Sequence, residues 1–253
     1  MAGRDGQLPP ALDEDHHVHS TWSSDGVSTL AENVRAARDR GLRTLLLAEH
    51  VRHGSAWVPE FIAATGELPR EAGLTILTGV EVKILDRSGQ LDLPADLGGA
   101  QSVLIADHQF PGGLGPVRPD QMRAALAQGQ IRPAEVIAGL VEGTVNALRL
   151  AAARRPAVRL QLAHLFSVLP KMGLAESAVG DGDLAGLIRA AADSGAAVEI
   201  NEKWGCPGAL VVAAFAGAGV PLVAATDSHY CGTVGRYDRV RRIQDEAFAA
   251  TGA

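Results

Sequence analysis

Seven short apolar, β-branched runs recur along the chain, and each stops at histidines or carboxylates. The runs cover 13–18 (short and polar), 42–48, 74–80, 101–107, 157–163, 196–200 and 220–226. The residues at their ends are His17/His19, Glu49–His50, Glu81, His108, His164, Asn201–Glu202 and Asp227/His229. Helix-like segments separate the runs, the pattern of parallel βα units. A parallel barrel places its chemistry at the carboxyl ends of its strands, so residues far apart in sequence meet at one mouth. Six of the chain's eight histidines sit at such ends. The pattern predicts an α/β barrel that binds metal.

A length of 253 residues suits one barrel domain, which usually runs to about 250. Residues 1–12 are polar and contain Gly and Pro, so they read as a disordered tail before a single domain over 13–253. Aromatic residues make up only 4% of the chain, which supplies no stacking platform for bases. The net charge of −6 argues against a long polyanionic partner such as nucleic acid, which needs a basic stripe. It does not exclude a small phosphorylated substrate, which one or two cations can bind. Cys206 and Cys231 form neither a Cys-x-x-Cys pair nor a disulfide framework, as expected for reduced thiols in a cytoplasmic protein. The first residues lack the charged start and apolar stretch of a signal peptide. No run of about 20 apolar residues stands out as a membrane span. The sequence leaves the oligomeric state open.

Between the runs, Thr29-x-x-Glu32 reads as a capping box before a helix with Leu30, Val34 and Ala37 on one face and Gly41 at its stop. Asp183 is the expected cap of a second helix ending at Gly195, and Pro207-Gly208 opens a third over 209–216. The stretch 109–156 is too long for a simple βα loop. It reads as an insertion near the mouth, either a lid or substrate wall, or a scaffold helix after an irregular loop. Residues 236–253 read as a solvated terminal helix.

In His17-Val18-His19 the two imidazoles lie two positions apart on a strand and project to the same side, so they can chelate one cation. Glu81 can bridge two cations through its separate oxygens, and Asp227 can anchor the one held by the histidine pair. A set of N and O ligands without Cys suits Zn, Mn or Fe rather than a purely structural zinc. Two such ions about 3.5–4 Å apart can hold a hydroxide and stabilise both entering and leaving oxygens. Glu49, next to His50, is better placed to orient an imidazole than to bind metal. His16 should point away from the site.

The series His17-x-His19, Ser24-Asp25-Gly26, Glu49-His50, Gly79-Val80-Glu81, His108, Ala163-His164 and Thr226-Asp227-Ser228-His229 resembles the polymerase and histidinol phosphatase (PHP) superfamily. The match runs in family order from about Asp15 to Tyr237. The resemblance implies a distorted seven-stranded (βα)7 TIM-like barrel with two to three divalent metal ions at its mouth. His17, His19, Glu81 and Asp227 would hold the first, Glu81 with His108 and His164 the second, and Asp25, His50 and His229 the third. Three positions depart from the family pattern: Glu49 stands where Asp is usual, Asp25 where one branch has His, and Asp107 where a small or hydroxyl residue precedes the His.

The resemblance implies a metal-dependent phosphatase that hydrolyses a small-molecule phosphate monoester by a metal-bound hydroxide, without a covalent intermediate. Glu81, Asp227 and His229 would carry the chemistry; His53, which matches no family motif, lies in the loop after the second run and is a candidate for a proton-transfer or substrate role. Arg52, Lys83, Lys171, Lys203 and Arg236 are candidate substrate-binding cations. Asn201, in a Glu-x-Asn strand end like the family's, is a further substrate contact. The alternative is a phosphodiesterase or nuclease acting on nucleotides or short oligonucleotides. A barrel attacking carbon would typically use a carboxylated lysine where Glu81 stands.

Overall fold

The structure is a computed structural model that describes residues 8–69, 72–155 and 157–249. The first seven residues of the expected tail lie outside the described residues. Those that follow are tied down rather than loose: the Pro10 carbonyl accepts from Gln244 Nε2, and Leu12 packs on the core.

The strands are β1 (Glu14–Val18), β2 (Thr44–His50), β3 (Thr75–Lys83), β4 (Ser102–Ala106), β5 (Phe110–Pro111), β6 (Pro116–Val117), β7 (Arg159–Ala163), β8 (Ala197–Asn201) and β9 (Leu222–Ala225). The helices are α1 (Leu30–Asp39), α2 (Val58–Gly66), α3 (Pro119–Ala127), α4 (Pro133–Arg154), α5 (Val168–Met172), α6 (Asp181–Ser194), α7 (Ala209–Gly217) and α8 (Arg239–Phe248). Seven strands form one parallel sheet in the order β1-β2-β3-β4-β7-β8-β9, and β5 pairs only with β6 in a small antiparallel hairpin. His19 N donates to the Ser228 carbonyl at 2.8 Å and Ser228 N to the His17 carbonyl at 3.3 Å, joining the last strand end to the first. The sheet is therefore a nearly closed (βα)7 barrel. Each of the seven sequence runs overlaps one of its strands.

Register sets the height of each ligand. His50 pairs with Glu81 across β2 and β3, and Ala106 pairs with Ala163 across β4 and β7, so His108 and His164 leave the sheet side by side. On β1 the pairing shifts between Asp15 and Val18, an irregularity of the kind that re-aims side chains at barrel rims. Inside the barrel the packing is small-scale: Leu46, Ala48, Leu104, Ala106 and Ala163 form a compact plug. The larger core lies outside, between sheet and helices, with a second layer of Val18, Val34, Leu45, Leu47 and Phe61 under α1 and α2.

The capping box at α1 forms as read, with Thr29 Oγ1 accepting from Glu32 N. Several expectations need correction. α6 starts at Asp181 with Gly180 as its cap, so Asp183 lies in the first turn instead. The terminal helix is not wholly solvated, because α8 buries Val240, Ile243 and Ala247. α4 is apolar and long enough to meet the composition of a membrane span, with a mean hydropathy of 1.4, contrary to the reading that no such run exists. Here it connects β4 to β7 as a packed crossover helix that buries Val136, Ile137, Leu140 and Leu148. Residues 133–154 of the stretch 109–156 are therefore scaffold.

Candidate metal centre

Glu81 leaves β3 pointing into the barrel mouth, 1% exposed, and its two oxygens face two sets of imidazoles. Oε1 lies 3.0 Å from His108 Nε2 and 2.9 Å from His164 Nε2. Oε2 lies 3.5 Å from His17 Nε2, 3.4 Å from His19 Nε2 and 2.7 Å from His50 Nδ1. Asp227 Oδ1 stands 3.4 Å from His19 Nε2. Asp25 Oδ2 approaches His229 Nε2 at 3.2 Å and His50 Nε2 at 3.5 Å. All the expected metal ligands thus meet in one cluster. Its partition is less clean than the implied three sites, since His50 turns one nitrogen to Glu81 and the other to Asp25.

The imidazoles are aimed by what lies behind them. His17 Nδ1–H donates to Glu199 Oε1 at 2.9 Å, and His164 Nδ1 lies 2.9 Å from Ser167 Oγ, which donates to Asp107 Oδ1. His19 Nδ1 lies 3.3 Å from Ser23 Oγ, which donates to Glu49 Oε2. His229 Nδ1–H donates to the Asp227 carbonyl at 3.0 Å. In each case Nδ1 faces an oxygen and Nε2 is presented inward, the tautomer control that metal-binding histidines require. Three buried acids, Glu199, Asp107 and Glu49, back the three buried imidazoles. Glu49 thus takes the orienting role expected of it, acting on His19. His16 turns away to Glu14 at 2.8 Å.

Backbone strain accompanies these positions. His164 (φ 32°) and Asp227 (φ 52°) adopt left-handed conformations that side-chain-bearing residues avoid, a cost usually tolerated at functional sites. Asp15 helps hold the Asp227 turn by accepting from Thr226 N, Thr226 Oγ1 and Gly235 N.

Burial alone would push the Glu81 carboxyl up, but His108 and His17 outweigh it and hold it well below the usual carboxylate range. Asp227 is depressed in the same way, burial being overcome by the His19 hydrogen bond and the neighbouring imidazoles. At His164 burial opposes the charged ring, yet the Asp107 and Glu81 carboxylates raise its pKa to about 10. Anionic oxygens and basic nitrogens therefore lie side by side at the barrel mouth.

Among the described residues, His17 Nε2, His19 Nε2, Glu81 Oε2 and His229 Nε2 are buried without a hydrogen-bond partner. Buried polar atoms rarely go unpaired, and these converge on the same space. Together with the N and O donor set, they fit divalent cations.

A cavity of about 410 Å³ opens over the cluster, with Arg52, Lys83, Lys203 and Trp204 in its walls. Lys83 is paired with Asp92 at 3.4 Å, and Lys203 Nζ reaches Asp227 Oδ1 at 3.3 Å. Of the stretch 109–156, Gln109 lines this cavity. Other expected substrate contacts do not line this cavity. Asn201 is fully buried, donating to Glu199 Oε1 and accepting from Trp204 N, so its side chain is spent on the scaffold. Lys171 lies 3.8 Å over the Trp204 ring, and Arg236 lines a neighbouring cavity. His53 belongs to a separate pocket beside Arg154 and Arg155, because the turn after β2 carries it off the rim. Glu199 and Trp204 were not anticipated. Only Glu199 left a signal, its position two residues before Asn201 on the same strand face.

Residues 15–165, more than half of the chain, match the PHP domain family. The chain belongs to that family. A probable phosphatase of Thermoanaerobacter sp. (strain X514) is 36% identical over 95 residues, covering 36% of this PHP protein and 38% of the relative, so the match spans under half the relative's length. A probable phosphatase of Caldanaerobacter subterraneus subsp. tengcongensis is 24% identical across 95% of this chain and 85% of its own. In fold, the chain resembles the histidinol phosphate phosphatase of Lactococcus lactis subsp. lactis Il1403, solved with zinc, L-histidinol and phosphate. The TM-score is 0.62 at 16% identity, covering 94% and 93% of the two chains.

Proposed function

We propose that this PHP domain is a metal-dependent phosphatase that hydrolyses a small-molecule phosphate monoester, with two to three divalent ions drawn from Zn, Mn and Fe. One observation carries the reading: the two oxygens of Glu81 face separate imidazole sets, and where they converge His17 Nε2, His19 Nε2 and Glu81 Oε2 are buried without a hydrogen-bond partner among the described residues. The likeness to proteins named probable phosphatases supports it. His17, His19 and Asp227 with Glu81 would hold one ion, His108 and His164 with Glu81 a second, and Asp25, His50 and His229 a third. When bound, neighbouring divalent ions supply an activated water and neutralise phosphoryl oxygens and the leaving alkoxide.

The chain's own residues do the rest. Glu81 and Asp227 stay ionised because imidazoles surround them. Glu199, Asp107 and Glu49 fix ring orientation, so little reorganisation is needed at the moment of reaction. Lys203 stands beside Asp227, where it can meet a phosphoryl oxygen. Lys83 follows Glu81 by two positions on the same face of β3, one level higher in the cavity, and with Arg52 it faces the leaving portion of the substrate. His53 takes no part in this scheme.

The test is phosphate release from a panel of phosphate monoesters after loading with Zn, Mn or Fe, alongside bis-p-nitrophenyl phosphate and short oligonucleotides. Turnover of monoesters is expected to dominate. Preferential cleavage of the diesters would favour the phosphodiesterase reading instead, and no phosphate release with any of the three metals would remove the proposal.

A further inference from the structure

The turn after β8 carries a side chain that the phosphatase reading leaves unused. Trp204 is 38% exposed on the cavity wall, and its indole Nε1–H donates to Asp227 Oδ2 at 2.8 Å. The other Asp227 oxygen, Oδ1, is the one facing His19. An indole nitrogen can donate but not accept, so this bond has one sense and occupies one lone-pair direction of Oδ2. It fixes the rotation of the carboxylate so that Oδ1, also reached by Lys203 Nζ at 3.3 Å, is the oxygen turned to the imidazoles.

Trp204 is itself held at its backbone and at its ring face. Trp204 N donates to Asn201 Oδ1 at 3.0 Å, and Asn201 Nδ2 donates to Glu199 Oε1 at 2.8 Å, the carboxylate that backs His17. Lys171 Nζ lies 3.8 Å from the ring centroid, a cation–π contact that clamps the outer face. Two ends of one ligand set, His17 and Asp227, are thus tied together through Glu199, Asn201 and Trp204. The strained φ of Asp227 shows that its backbone alone does not favour this pose.

We propose that Trp204 is a positioning residue for the metal centre, fixing the orientation of the Asp227 carboxylate with Oδ1 toward the imidazoles and coupling it to the His17–Glu199 pair. The inference rests on the metal-binding part of the proposed function but not on the substrate. W204F keeps an aromatic face for Lys171 and removes only the donor. Outer partners of metal ligands are commonly worth 10- to 100-fold in metal affinity, and that loss is expected here.

The experiment is a Zn²⁺ titration of stripped protein against a chromogenic chelator, run on wild type, W204F, D227A and the double variant, with circular dichroism and melting as controls for folding. W204F should weaken the tightest site 10- to 100-fold. In the D227A background the same change should cost less than threefold, because its target is gone. Unchanged affinity in W204F would overturn the inference, as would a full-sized loss persisting beside D227A, which marks general packing. W204M, which has no side-chain donor, gives the same readout if W204F does not fold. Wild type that takes up no Zn²⁺ would instead remove the metal reading itself, a result visible before any variant is compared.

Discussion

Glu199 shows how a single residue behind the ligands can matter as much as a ligand. Its carboxylate is fully buried and, with Glu81, raises the His17 pKa well above the ordinary value against the opposing effect of burial. E199Q keeps the shape and removes the charge, so chelator competition should show a roughly 10- to 100-fold loss of metal affinity with the fold intact. An unaltered affinity would mean that orientation alone suffices at His17. Cys206 gives a second prediction at this scale. Burial, helped by the nearby carboxylates of Asp107 and Glu199, pushes its thiol well above the ordinary value, so the reactive thiolate is scarce. Mass spectrometry should find Cys206 unmodified by iodoacetamide at pH 8 in the native protein and modified after denaturation. These acids were poorly legible in the sequence for a simple reason. His17 and Glu199 lie 182 positions apart, and no local period reveals which inward acid ends up behind which imidazole. Trp204 sits in a tight turn with no periodic signal at all.

At the scale of elements, the strand ends were legible and the loops between them were not. Buried parallel strands leave continuous apolar runs, so the ligands after β2, β3, β4, β7 and β9 could be read from where those runs stop. α2 is hard to read because its cap residue, Trp57, supplies no side-chain hydrogen bond and its last turn carries no basic residue. The loop bearing Asp25 depends on Gly26, where an added Cβ would stand 1.9 Å from the Ser20 carbonyl oxygen. G26A must therefore move this loop. It should weaken the cation position shared by Asp25, His50 and His229 while sparing the one at His108 and His164, which metal titration followed by elemental analysis can resolve. α1 offers a control remote from the site. T29A removes the capping hydroxyl and should cost about 1 kcal/mol of stability by chemical denaturation, without changing metal content.

For the whole molecule, the barrel gathers imidazoles and acids from seven strand ends into one rim, an arrangement that a bound cation should stabilise. A ligand held at 100 times its Kd adds about 2.7 kcal/mol. For a chain of this size that corresponds to a melting temperature about 5–10 °C higher with Zn or Mn than with a chelator. An equal melting temperature in both conditions would detach the cluster from metal binding. The most direct check of the central claim is elemental analysis of protein equilibrated with Zn or Mn and desalted, comparing wild type with E81A. The structure leads us to expect two to three ions per chain in wild type and a sharp loss in E81A, because Glu81 faces both imidazole sets. Fewer than one ion per wild-type chain, or an E81A variant holding the same number, would contradict it.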